Sequence, residues 1–159
     1  MKIDIDAAAQ VLSLLEDSGA LVRRYSVSTA KNGLGEKNGS HCTPRGRHII
    51  RAKIGAGAAP GTVFVGRRPT GEVWTPELGA SHPGRDWMLT RLLWLSGCEP
   101  GQNRLGDVDT MRRYIYIHGA PETAEMGRPG SIGCIRMRND DIIDLFERVP
   151  PYTPVNVRG

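Results

Sequence analysis

The sequence predicts a mainly-β fold, a sandwich or barrel with one late helix. Three observations carry this. Glycine (20) and proline (11) are abundant for a chain of 159 residues, which calls for many turns. The apolar residues fall in short stretches, several of them alternating with period two, bounded by turn formers. The clearest helix signal comes late, where an apolar segment lies between Asn139 and Pro150-Pro151. The length suits one domain over residues 1–159 with a core that needs no staples.

The first thirty residues admit two readings. Asp6 could cap a helix over Ala7 to Leu15 that Gly19 stops. Alternatively Val11 to Leu15 and Leu21 to Val27 are strands joined through Glu16-Asp17-Ser18-Gly19. The alanines lean toward the helix. Residues 30 to 46 form a polar, glycine-rich loop, long enough to be functional or mobile. Arg47 to Ile54 alternates as a half-buried strand does, with His48, Ile50, Ala52 and Ile54 opposite Ile49, Arg51 and Lys53. Gly61 to Gly66 and Glu72 to Thr75 read as strands separated by Arg67-Arg68-Pro69-Thr70-Gly71.

Trp87 to Leu95 is apolar enough for a buried helix or a strand, and residues 97 to 112 form a loop. Tyr114 to His118 is a strand with Tyr114, Tyr116 and His118 on one face and Ile115 and Ile117 on the other. Gly119 to Gly130 is a further loop. Asn139 is expected to cap a helix from Asp140 to about Arg148, with acids in its first turn and arginine in its last. Pro154 to Val157 is expected to close the chain as an edge strand, where proline is tolerated.

The net charge is +4, and basic residues occur in scattered pairs such as Arg23-Arg24 and Arg112-Arg113. With only two Phe, three Trp and four Tyr, this argues against a nucleic-acid groove. Cys42, Cys98 and Cys134 are odd in number and irregular in spacing, so a disulfide framework is not expected and a reducing compartment fits. Two aspartates in the first six residues oppose a signal peptide. Val11 to Leu15, interrupted by Ser13, is too short to span a membrane. With Met1 as the native start, a cytoplasmic protein is expected, with neither membrane nor nucleic acid as a partner.

Chemistry concentrates in Ser131-Ile132-Gly133-Cys134-Ile135-Arg136-Met137 and in His118. A cysteine directly after a glycine suits a nucleophile on a tight turn, because glycine lets the backbone approach a substrate closely. The thiol reacts as thiolate and needs a base, for which His118 is the candidate. Backbone N–H groups of Gly133 and Cys134 could hold the oxyanion. No carboxylate adjoins His118, so a carbonyl in the Gly119-Ala120 stretch is the candidate to orient it. Arg136 alternates with Cys134 and reads either as a buried ion pair with Asp140 or Asp141 or as a clamp for a substrate carboxylate. Cys42 and Cys98 lack a supporting motif and read as small buried hydrophobes, and His41 and His48 as structural residues. Cys134, His118 and His82 match no metal-ligand spacing, and no cofactor is expected.

His118-Gly119, then Ser131-x-Gly133-Cys134-Ile135-Arg136-Met137 followed by Asn139-Asp140, resembles the catalytic signature of the L,D-transpeptidases (YkuD domain). Thr43-Pro44-Arg45-Gly46 resembles that family's Thr-Pro-x-Gly turn, and Val27-Ser28-Thr29 its strand end. Ile132 departs from the histidine or lysine of many members. The resemblance implies a β-hairpin at the N-terminus and a strand at Trp87 to Leu95. It makes Cys134 the nucleophile, His118 the base, and Gly133 with Cys134 the oxyanion donors. Ser131, Arg136 and Gly119 would hold or shape the substrate site, with Tyr116 and His82 as pocket walls. The implied substrate is a peptidoglycan tetrapeptide or muropeptide, cut between its diamino acid and terminal D-alanine through a thioester. Carbapenems would be expected to acylate the same cysteine. Exported members carry a signal or anchor, so for this chain the expectation is an L,D-carboxypeptidase of cell-wall recycling. A cross-linking transpeptidase and a non-catalytic wall-fragment binding module are the alternatives.

Overall fold

The computed structural model describes residues 1–159. The N-terminal segment is all strand: β1 (Lys2–Asp6), β2 (Val11–Leu15) and β3 (Leu21–Ser28) pair antiparallel in succession. The hairpin is preferred over a helix because Ile3, Ile5, Leu12 and Leu14 alternate into the core, a period-two pattern that outweighs alanine propensity. β4 (Gly46–Ile54) follows, then the hairpin of β5 (Thr62–Val65) and β6 (Arg68–Val73). β6 starts earlier than expected, since Gly66 and Arg67, both at positive φ, make the whole turn. Thr75 belongs to no strand; its hydroxyl accepts from Leu78 N–H and caps the short helix α1 (Pro76–Ser81), which sequence patterning does not indicate.

β7 (Met88–Gly97), β8 (Tyr116–Gly119), β9 (Ile135–Met137), α2 (Asn139–Arg148) and β10 (Pro154–Arg158) complete the chain. The strand order β4-β10-β1-β2-β3-β9-β8-β7 closes through a β4–β7 pairing, so eight strands form a barrel-like ring and β5–β6 extend it from β7. β10 is therefore an interior strand, parallel to β1 and antiparallel to β4, and not the edge expected from its proline. Pro154 is its first residue, a place where a missing N–H is tolerated.

The ring encloses the principal core, in which Leu93 and Leu95 of β7 and Ile117 of β8 meet Ile142, Leu145 and Phe146 of α2. Each fully buried Leu or Ile contributes about 1.5–3 kcal/mol, so this core is the rigid platform of the molecule. Three polar contacts fix α2 on it. Tyr25 Oη donates to Asp144 (2.6 Å), and Lys53 Nζ donates to the carbonyls of Phe146 and Val149 (2.7 Å each) near the helix C-terminus. Lys53 can do this because β4 shifts register between Ile50 and Ala52. The bulge breaks the simple alternation, so Ile50 joins the principal core while Ile54 packs against a second cluster.

α2 begins at Asn139 itself. The preceding Arg138 occupies the cap position without a side-chain bond, and Asn139 Oδ1 instead accepts from Thr90 Oγ1 at 2.6 Å. No helix is long and apolar enough to cross a membrane.

Candidate functional site

The outer face of β7–β8–β9 carries the second cluster, in which Phe64, Leu92 and Tyr116 pack around Cys134. β8 and β9 are parallel, Ile117 opposite Ile135 and His118 opposite Arg136. Cys134 immediately precedes β9, so by strand alternation it shares a side of the pair with His118 and Arg136. Gly133 reaches it with φ +136°, and a Cβ there would come within 3.1 Å of Ile115. Ser131 Oγ spans the turn, donating to Cys134 O (2.5 Å) and accepting from Gly133 N–H (3.2 Å). Thr43 Oγ1 donates to Gly133 O at 2.8 Å and accepts from Ala30 N–H at 3.0 Å. The turn is thus anchored to the end of β3 and to the 30–46 loop.

Thiol and imidazole are both buried, and no hydrogen bond joins them. Cys134 Sγ accepts from Tyr116 N–H (3.3 Å) and donates to Tyr114 O (3.5 Å). Burial is the main cause that pushes its pKa up to about 12, with the Asp86 carboxylate adding to it and Arg113 opposing. Burial likewise holds the His118 imidazole below its ordinary range. His118 Nδ1 lies 2.6 Å from Gly119 O. A carbonyl can only accept, so Nδ1 carries the hydrogen and neutral Nε2 keeps a bare lone pair. Nε2 has no partner in the protein. The site therefore rests as neutral thiol and neutral imidazole. Cys134 N–H makes no hydrogen bond, whereas Gly133 N–H is already donated to Ser131.

A pocket of about 290 Å³ opens on Cys134. Asn38, Gly39 and His41 form one wall, Arg113 to Ile115 a second, and Asp86, Met88 and Ile132 the rest. The 30–46 loop is therefore a fixed wall. Arg113 donates to the carbonyls of Gly35, Glu36 and Cys42 and to Ser40 Oγ, at 2.7–3.3 Å. Asn38 N–H adds a bond to Asp107 O. Tyr114 stands outside β8, exposed, with φ 56°.

Tyr116 is buried beside Cys134, and its hydroxyl accepts from Arg67 Nη1 at 3.2 Å. Gly119 is required where it is, since a Cβ would collide with Asn139 Oδ1 and lie 2.6 Å from Leu89 O. Arg136 makes no ion pair; Asp141 pairs with Arg138 instead (3.9 Å), while Arg136 Nη2 donates to Ser28 Oγ (3.0 Å) and its buried Nε has no partner. His82 stands apart from the pocket, exposed at the end of α1 and edge-on to Trp87 at 6.1 Å. Cys42 and Cys98 are half-buried, not core residues. His48 is structural, its ring nitrogens 3.0 Å from Gly46 O and Thr110 Oγ1, whereas His41 is exposed on the pocket rim. Asp86, Arg113 and His41 escaped sequence reasoning because nothing in their neighbours along the chain marks them.

A family model described as the L,D-transpeptidase catalytic domain, YkuD, matches residues 1–157. The Bacillus subtilis (strain 168) protein YkuD is 41% identical over 46 residues, 29% of this chain and 28% of that protein. Among solved structures, an L,D-transpeptidase from Mycobacterium smegmatis superposes with a TM-score of 0.62 at 20% identity, over 99% of this chain and 58% of that one. An LD transpeptidase in complex with imipenem gives 0.58 at 17% identity, over 98% of this chain and 57% of that one. The chain thus spans little more than half the length of these structures, and at such identities they establish the shared fold.

Proposed function

This chain belongs to the YkuD family of L,D-transpeptidase catalytic domains, and on that footing we propose that it is a cysteine acyltransferase acting on the peptidoglycan stem tetrapeptide. Cys134 Sγ attacks the carbonyl between the diamino acid and the terminal D-alanine as His118 Nε2 takes the thiol proton. Cys134 N–H steadies the oxyanion, and the C–N bond then breaks. The imidazolium returns its proton to the amine, D-alanine departs, and a thioester remains on Cys134. The observation that carries this reading is the His118 tautomer, since Nδ1–H on Gly119 O leaves Nε2 with a free lone pair in a site that holds a thiol.

Water as the second acceptor makes the protein an L,D-carboxypeptidase, and the size of the pocket supports this. At about 290 Å³ it is at the small end for a ligand site, which favours water over a second stem peptide. Incubation with a disaccharide tetrapeptide should release D-alanine and leave the tripeptide. Cys134→Ala should abolish the release, and persistent release would overturn the nucleophile assignment. The second reading, cross-linking, is favoured by the names of the structural relatives. Mass spectrometry with an added amine acceptor separates the two, because only cross-linking accumulates dimers.

A further inference from the structure

Asp86 lines the same pocket as the Cys134 thiol and makes no hydrogen bond or ion pair. Its neighbour Arg85 is committed elsewhere, to Glu72 at 3.3 Å and to the face of Trp87 at 4.2 Å. Arg113, across the pocket, has both terminal nitrogens engaged by the 30–46 loop. The Asp86 charge disfavours ionisation of Cys134, and it raises the proton affinity of His118 and Arg136. An unpaired carboxylate in the lining of the thiol's pocket is free to pair with a cation on an incoming ligand.

We propose that Asp86 is a specificity residue that receives the side-chain ammonium of the substrate's diamino acid. This rests on the reading of Cys134 as the acylated residue and adds the recognition of the amine. The pairing has two consequences. It selects peptides with a free side-chain amine over acylated ones, and it removes a negative charge from the vicinity of the thiol once substrate is seated. Activation of Cys134 then follows binding. Asp86 is the one carboxylate in the lining of this pocket, whose other titratable side chains are His41, Arg113, Tyr114 and Cys134 itself.

The experiment compares a tetrapeptide bearing a free diamino-acid amine with its Nε-acetylated counterpart, on wild type, Asp86→Asn and Asp86→Glu. In the wild type acetylation should raise KM about tenfold, the size of one charged hydrogen bond lost. In Asp86→Asn that penalty should vanish, and in Asp86→Glu it should largely return. Equal KM values for the two peptides in wild type overturn the proposal, as does an acetylation penalty that survives in Asp86→Asn. If neither peptide is turned over, the function proposed above fails, and the amine site is read by another route. Alkylation of Cys134 by iodoacetamide, followed by mass spectrometry, should be slowed by the free-amine peptide several-fold more than by the acetylated one, and this difference should be lost in Asp86→Asn. Identical protection by both peptides, or none, overturns it.

Discussion

Thr43 Oγ1 donates to Gly133 O at 2.8 Å, joining the 30–46 loop directly to the residue before the candidate nucleophile. The same hydroxyl accepts from Ala30 N–H, so one buried side chain satisfies two buried backbone groups. Thr43→Ala should therefore destabilise the protein by about 2–4 kcal/mol, since both partners lose their bond without gaining water. Thr43→Ser should recover most of that. Urea unfolding midpoints of the three proteins decide the matter, and an alanine variant as stable as wild type would show the bond to be dispensable.

Arg113 is the clasp of the pocket wall. Replacing it with methionine keeps the apolar stem but removes the four loop contacts. Cleavage between residues 33 and 42 in limited proteolysis should quicken by about tenfold or more as the loop opens locally. The core of the ring should keep its amide protection in hydrogen exchange. Uniform loss of protection would instead make Arg113 a determinant of the whole fold.

The His118 imidazole, held below its ordinary 6.5 chiefly by burial, stays neutral at pH 7. A base is lost only when it protonates, so the acid limb of kcat/KM should lie below pH 6.5. A limb centred above that value would mean a different base.

His48 links folding to pH. Burial lowers its pKa from 6.5 to about 4. Between those values the unfolded chain binds the proton that the folded chain refuses, so stability is complete above pH 6.5 and falls as pH drops toward 4. The loss amounts to about 3 kcal/mol for this residue. His118 adds a loss of the same sign. His48→Gln should flatten the slope of unfolding free energy against pH over this window by its own share. An unchanged slope would remove His48 from the account.

Much of the fold was legible along the chain where one face is buried and the other is wet. α2 has an apolar stripe, and turns carry glycine and proline, whereas the first thirty residues read as helix or hairpin until the family resemblance favoured strands. β7 was ambiguous because both of its faces are covered, Leu93 and Leu95 by the principal core and Leu92 by the Cys134 cluster, which erases periodicity. The signature of the candidate site stands out along the chain, since Cys134, Gly133 and His118 lie in short motifs with a chemical reason for their order. The pocket around them was not.

Local chain chemistry therefore settled the strand-rich class, the turns and the late helix, and it singled out the candidate thiol and histidine. These depend on neighbours a few residues away, through side-chain period and backbone freedom. Packing alone decided that β10 lies inside the ring, that Lys53 turns to α2 at a bulge, and that Thr43, Asp86 and Arg113 converge on Cys134. Those contacts join residues tens of positions apart. They form only when burying the core closes the ring, and no local pattern encodes which distant groups that closure brings together.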